Sequence, residues 1–135
     1  MSTSALVLLL FIGWTLLLLI VMEGMRSVLV ATGRIPSNQF MPDNANLSPF
    51  MQRLARAHAN CLEGLPVFGG LLVVALLTDQ TGTTDTLAPW LLAARIIQSS
   101  IHLASLSVMA VNARFAAFAV QMVIGAWWVV ALLPW

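Results

Sequence analysis

The stretch ALVLLLFIGWTLLLLIVM, from Ala5 to Met22, runs for 18 residues without a charged side chain. Crossing the hydrocarbon core of a bilayer takes about 20 apolar residues in a helix. The apolar pattern continues past Glu23 and Arg26, which are spaced to form a local ion pair. No basic segment precedes the stretch and no cleavage site of the A-x-A type follows it, unlike a signal peptide. We therefore predict a retained transmembrane helix over residues 4–31.

Three further segments have the composition of membrane-crossing helices. Residues 54–77 become apolar after a polar first turn, residues 87–111 are interrupted by a few polar side chains, and residues 115–135 carry no charge. Four such helices use most of the 135 residues and leave no room for a soluble domain. The sequence predicts one domain over residues 1–135, an all-α integral membrane protein built as a four-helix bundle.

The connections between these helices are short and polar. Residues 32–52 are rich in turn-forming residues, and residues 112–114 read as a tight turn. Asp85 or Thr86 is placed to cap the third helix, because Pro89 suits the first turn of a helix.

The composition excludes several classes of protein. Hydrophobic residues make up 60% of the chain and charged residues 8%, whereas a soluble domain carries about a quarter charged residues. A soluble enzyme and a disordered tail are excluded on this ground. A formal net charge of +1 provides no field to attract nucleic acid. A single cysteine, Cys61, excludes a disulfide framework within the chain, and the two histidines form no metal-ligand pattern, so no metal is predicted.

Arginines mark one side of the predicted membrane domain. The connection between helices one and two and that between helices three and four contain arginines, whereas both termini and the remaining loop have none. The residues concerned are Arg34, Arg53, Arg56 and Arg114. By the positive-inside rule, we expect these connections to be cytoplasmic and both termini to lie on the other side of the membrane.

Two stripes of polar residues lie within the predicted spans. Each follows the spacing +3, +4, +3, which places its members within about 80° of one another around a helix. The stripes are Arg53, Arg56, Asn60 and Glu63 on helix two, and Arg95, Gln98, His102 and Ser105 on helix three. Ionisable side chains in a span avoid lipid, so we expect the stripes to face each other around a cationic cavity near the cytoplasmic side. Arginine side chains in such a cavity suit a small anionic ligand with carboxylates.

Some of these residues also have a purely structural interpretation. Glu63 could equally form an intramembrane ion pair with Arg53 or Arg56. His102 lies on its stripe, which favours contact with a ligand slightly over simple packing. Cys61 is interpreted as a small buried residue.

The start of helix two resembles the signature of the MAPEG family, the membrane-associated proteins in eicosanoid and glutathione metabolism. From Arg53 to Ala75 the chain reads RLARAHANCLEGLPVFGGLLVVA, which meets the pattern R-x-x-R-A-x-x-N-x-x-E-x-x-P-x-F in full. VATGR, ending at Arg34, precedes it, and Arg95 and Arg114 follow it in the order that the family shows. The resemblance covers essentially the whole chain.

The resemblance implies a homotrimer that binds glutathione, as a co-substrate, between neighbouring subunits near the cytoplasmic face. It implies that Arg114 stabilises the glutathione thiolate, which attacks a lipophilic electrophile. The residues that it implies as contacts of glutathione are Arg34, Arg53, Arg56, Asn60, Glu63, Arg95, Gln98 and His102. Glutathione has two carboxylates and one ammonium group, which suit several arginines and one glutamate.

The resemblance thus implies a glutathione-dependent transferase or peroxidase that acts on lipophilic small molecules or lipid hydroperoxides. The chain has no tyrosine, whereas many eicosanoid-forming members carry one at the position of Gln98 or His102, and Phe115 follows Arg114 where one prostaglandin synthase branch has a serine. A bacterial-type member of the inner membrane fits these differences better than an eicosanoid synthase. The alternative is a non-catalytic member that binds lipid or joins a membrane complex. A channel fits less well, because no charge lies on the outer half.

Overall fold

The computed structural model describes residues 1–135 and contains only helices. In chain order they are α1 (Thr3–Ala31), α2 (Pro49–Leu77), α3 (Thr81–Thr84), α4 (Ala88–Ala104) and α5 (Val108–Leu132). Within α2, the segment Leu65–Gly69 is a π-helix between two α-helical parts. Pro66 in that segment has no N–H to donate, which favours such an interruption of the hydrogen-bond ladder.

Serine side chains fix the beginnings of the three long helices. Ser2 accepts a hydrogen bond from the backbone N–H of Ala5, Ser48 from Met51, and Ser107 from Ala110, at 3.1, 3.3 and 3.2 Å. Each such cap satisfies an N–H group that has no partner within its helix.

These caps correct two predicted boundaries. Helix α2 begins at Pro49 and not at residue 54, because Ser48 caps it. The turn between α4 and α5 lies at Ser105–Ser107 and not at residues 112–114. Ser105 has an extended backbone and Ser107 caps α5, so α4 ends earlier than the predicted third helix. Ser105 therefore lies outside the helix on which it was predicted.

The predicted cap of the third helix is also wrong. Leu87 occupies the N-cap position of α4 and no side chain caps that helix. The carboxylate of Asp85 instead accepts hydrogen bonds from the backbone N–H and the hydroxyl of Ser4, at 2.8 and 2.6 Å. Asp85 therefore ties the loop before α4 to the beginning of α1.

The long helices alternate in direction around two apolar clusters. One cluster joins the beginnings of α1 and α4 to the ends of α2 and α5; it contains Val7, Phe11, Phe68, Leu72, Ala88, Leu91, Ile124 and Trp128. The other joins the end of α1 to the beginning of α2, with Leu103 of α4 packed against it. The arginine-rich ends of α1, α2 and α5 consequently lie at the same end of the molecule.

Three helices, α1, α2 and α5, are long and apolar enough to cross a membrane. Their outer faces are covered by exposed apolar side chains such as Leu9, Leu16 and Val123. Apolar surface on this scale marks contact with lipid or with other proteins. The chain is therefore an all-helical, multi-pass membrane protein.

Candidate functional site

A chain of hydrogen bonds between buried polar side chains crosses the interior from α5 to α2. Gln121 Nε2 donates to Gln98 Oε1 at 2.8 Å, and Gln98 Nε2 donates to Asn60 Oδ1 at 3.0 Å. Arg95 Nη1 donates to the same Asn60 oxygen at 2.6 Å. The structure thus brings together Asn60, Arg95 and Gln98 from the two predicted stripes.

Arg95 is fully buried and its charge has no acidic partner within the chain. Its guanidinium carbon lies 5.6 Å from the ring centre of Phe11, and Nε and Nη2 have no hydrogen-bond partner. A Cβ atom added to Gly64 would lie 2.6 Å from Arg95 Nη2. The absence of a side chain at Gly64 is therefore what lets the guanidinium reach Asn60.

The α2 stripe divides between the interior and the surface. Arg53 Nε donates to the backbone carbonyl of Leu103 in α4 at 2.8 Å. Arg56 and Glu63 are exposed on the outside of the chain. Glu63 forms no ion pair within the chain, so the structural pairing with Arg53 or Arg56 that the sequence left open is not made. The predicted pair of Glu23 and Arg26 is present, at 3.1 Å.

His102 and Arg114 lie near one another at the arginine-rich end. The His102 ring is buried, its Nε2 atom has no hydrogen-bond partner, and the charges of Arg56 and Arg114 both act on it. Arg114 is half-buried, and its Nε atom is also without a partner. Because α5 begins at Val108, Arg114 lies in the second turn of that helix and does not open it as predicted. The chain therefore leaves two buried nitrogen atoms without partners beside the positive charges of Arg56 and Arg114.

Arg34 lies apart from this cluster within one chain. It is exposed at the end of a groove of about 730 Å³ between the second half of α1, the following loop and the start of α2. The structure of a single chain does not bring Arg34 together with Asn60, Arg95 and Gln98.

A second groove connects the polar cluster to the apolar surface. It lies between α2 and α5 and has a volume of about 330 Å³. Asn60 and Glu63 form its polar end, and the side chains along the rest are mostly apolar: Val67, Phe68, Leu71, Phe118, Met122 and Val129. The groove can therefore place an apolar molecule beside polar groups of α2.

Gln121 is the site residue that the sequence analysis missed. It is fully buried and donates to both Gln98 and the carbonyl of Ala117. The sequence does contain a signal for it. Gln121 follows Arg114 by seven residues, which places both on one side of a helix. Cys61 is fully buried as expected, with its sulfur 3.0 Å from the hydroxyl oxygen of Ser99.

Comparison with known proteins gives one match that covers nearly all of the chain. The model of the MAPEG family matches residues 4–133. No curated protein and no solved structure matches the chain. The helix-two signature and the membrane helices agree with the family match, and the chain therefore belongs to the MAPEG family.

Proposed function

We propose that this protein is a glutathione-dependent transferase or peroxidase that works as a homotrimer and acts on lipophilic electrophiles or lipid hydroperoxides. Membership of the MAPEG family supports a membrane function related to glutathione or eicosanoids in general. The particular reaction is the one that the resemblance to this family implies, and the charges and cavities of the chain support it.

The observation that carries the proposal is the exposure of Arg56 and Glu63 on the surface of a helix suited to crossing the membrane. Charged side chains are costly against lipid, so these two side chains need a polar ligand, another subunit or both. They flank Asn60, one turn of helix from each. One cation, one anion and one amide on the same face suit a tripeptide that carries two carboxylates and one ammonium group.

Arg34 supports a site shared between subunits. Within one chain it lies in a separate groove. A ligand that contacts both Arg34 and the cluster around Asn60 therefore needs Arg34 from a neighbouring copy.

Arg114 is proposed to stabilise the thiolate of glutathione, and His102 and Arg56 to complete the cationic surroundings. A nearby cation raises the fraction of a thiol that is ionised at neutral pH. In the transferase reaction, the thiolate sulfur forms a bond to an electrophilic carbon, and the leaving group departs with its bonding electrons. In the peroxidase reaction, two glutathione molecules reduce a hydroperoxide to an alcohol and water and form one disulfide. The groove between α2 and α5 is a route for the apolar substrate.

We also propose that the chain crosses the membrane four times, with both termini on the non-cytoplasmic side. Helix α4 has 17 residues, which span about 26 Å at 1.5 Å per residue. Its beginning packs with the beginning of α1, and α5 starts from the opposite end. The arginines at the ends of α1, α2 and α5 place that end in the cytoplasm, and we propose a bacterial inner membrane as the location.

Thiolate formation tests the proposed function. Glutathione added to the purified protein should increase ultraviolet absorbance in the thiolate band. Arg114→Ala should reduce the thiolate fraction at neutral pH about tenfold or more, because one pKa unit of the glutathione thiol corresponds to a factor of ten. Asn112→Ala, an exposed position two residues away in the same helix, is the matched control and should leave the absorbance unchanged. Failure of the native protein to bind glutathione would contradict the proposal.

One observation favours a second candidate, a non-catalytic membrane subunit that binds lipid. Asn60, Arg95, Gln98 and Gln121 are linked in one hydrogen-bonded network, as they would be in a purely structural core. Purification in mild detergent discriminates between the two functions. A protein that carries bound lipid, or that co-purifies with a larger complex, and does not form thiolate would support this second function.

A further inference from the structure

We infer that Gln121 is a positioning residue, which acts through Gln98 to set the direction in which the Asn60 amide faces a ligand. The inference rests on the proposed binding of glutathione for its functional consequence. Gln121 itself lies one side chain away from Asn60 and is fully buried, so its role is to orient and not to contact the ligand.

The amide groups in this network have a fixed polarity. The NH2 group of Gln121 makes two donations, to the carbonyl of Ala117 at 3.1 Å and to Gln98 Oε1 at 2.8 Å. With its oxygen occupied in this way, Gln98 presents its own NH2 group to Asn60. The atom of Asn60 that receives it must be the oxygen, since two NH2 groups cannot hydrogen-bond to one another.

The consequence appears at the groove between α2 and α5. With its oxygen turned inward toward Gln98 and Arg95, Asn60 keeps its NH2 group for the groove that it lines. No group of the chain accepts from that nitrogen. Glu63, at the same end of the groove, offers an acceptor. A ligand there meets one donor and one acceptor side by side, and the Asn60 donor suits a carboxylate or peptide carbonyl of glutathione.

Arg95 and Gln98 together secure this direction. Arg95 Nη1 donates to the Asn60 side-chain oxygen at 2.6 Å and also points toward the Asn60 backbone carbonyl at 3.4 Å. The Gln98 NH2 group is the second donor that holds the Asn60 oxygen inward, and Gln121 is what fixes the NH2 group of Gln98 in place. Removing the donor at position 121 frees Gln98 to rotate, and Arg95 is then the one donor that still holds the Asn60 oxygen inward.

A double-mutant cycle tests this inference with the full-length protein in detergent. Gln121→Met keeps the size of the side chain and removes its donor. We expect it to weaken glutathione binding, measured by titration calorimetry, about fivefold, the effect of one lost hydrogen bond. In an Asn60→Asp background, both terminal atoms of the side chain at position 60 are oxygens, so rotating that group changes nothing. Gln121→Met should then have no further effect on glutathione binding. A fivefold loss in both backgrounds would show a merely structural role and overturn the inference.

A second measurement does not need glutathione. The chain has five asparagines, so selective ¹⁵N labelling gives few side-chain amide signals, and Asn60→Asp identifies the pair that belongs to Asn60. The Asn60 signals should shift in Gln121→Met and should not shift in Met122→Leu. Met122 is adjacent to Gln121 and lines the groove, but it is outside the hydrogen-bond network. An unshifted Asn60 pair in Gln121→Met overturns the inference. A shifted pair in a protein that does not bind glutathione would uphold the orientation and contradict only the proposed function.

Discussion

Gly64 is the residue on which the position of Arg95 depends. An alanine there would bring its Cβ atom to 2.6 Å from Nη2 and 3.3 Å from Cζ of the buried guanidinium. The guanidinium would have to move, and its 2.6 Å hydrogen bond to Asn60 would be lost. Hydrogen bonds of charged groups contribute about 1.5–3 kcal/mol.

We therefore predict that Gly64→Ala is less stable than Gly70→Ala by about 1.5–3 kcal/mol. Gly70 lies in the same long helix, and nothing would be within 4 Å of a Cβ atom added to it. Both variants share the gain of about 1 kcal/mol that alanine has over glycine in a helix, so their difference isolates the contact with Arg95. Denaturant unfolding in micelles measures it, and equal stabilities would show that Arg95 adjusts at no cost.

At the residue scale, the sequence indicated some of the side chains that belong to the interior but not how they pair. The +3, +4, +3 spacing placed Asn60, Arg95 and Gln98 correctly near one another, because helical periodicity fixes the direction of each side chain. Helical periodicity does not reveal that Glu63, in the same stripe, faces outward. The stripe is about 80° wide, and a difference of that size decides whether a residue lies at the interior or at its edge.

At the scale of the helices, Asp85 joins two elements that are distant in sequence. Its carboxylate accepts from the N–H of Ser4 in the first turn of α1, where the positive end of the helix dipole favours a negative charge. The Ser4 hydroxyl also bonds with Thr84. Together these contacts hold the beginning of α1 against the loop that leads into α4.

We predict that Asp85→Asn lowers the stability of the protein by about 0.5–1 kcal/mol, because an amide keeps the acceptor but loses the charge. Asp79→Asn, in the same loop, is the matched control. Asp79 is exposed and has a positive φ of 55°, a conformation that asparagine also tolerates. Thermal unfolding should separate the two variants at neutral pH, and equal melting temperatures would mean that the charge of Asp85 contributes nothing.

The helix ends were the least predictable part of the fold. The centres of the spans follow from hydrophobicity, which is averaged over about 20 residues. The ends depend on single side chains, such as Ser48 and Ser107, whose capping hydrogen bonds are local. Helix α5 begins seven residues earlier than predicted, so Arg114 lies inside the helix and not in a turn. Its location at the arginine-rich end of the molecule was unaffected.

At the scale of the whole molecule, one face of α2 has no partner in a single chain. Arg56, Ala59 and Glu63 are exposed there and follow one another at +3 and +4, so they share one side of the helix. A charged face on a membrane helix is not stable against lipid. We expect this face to be covered in the proposed trimer, with glutathione among the groups that cover it.

Ala59→Trp tests this arrangement. An indole at this exposed position should not disturb an isolated chain, but it should block packing of a neighbouring subunit against this face of α2. Native mass spectrometry of the protein in mild detergent should find three copies of the 14.6 kDa chain, and Ala59→Trp should shift the population toward monomers. Ala59→Ser, which adds one small atom, should remain trimeric. Circular dichroism should show the same helix content in all three proteins, since Ala59 is exposed in a single chain. A trimer that persists in Ala59→Trp would place this face of α2 away from the subunit interface, and Arg56 and Glu63 would then need a polar ligand supplied within one chain.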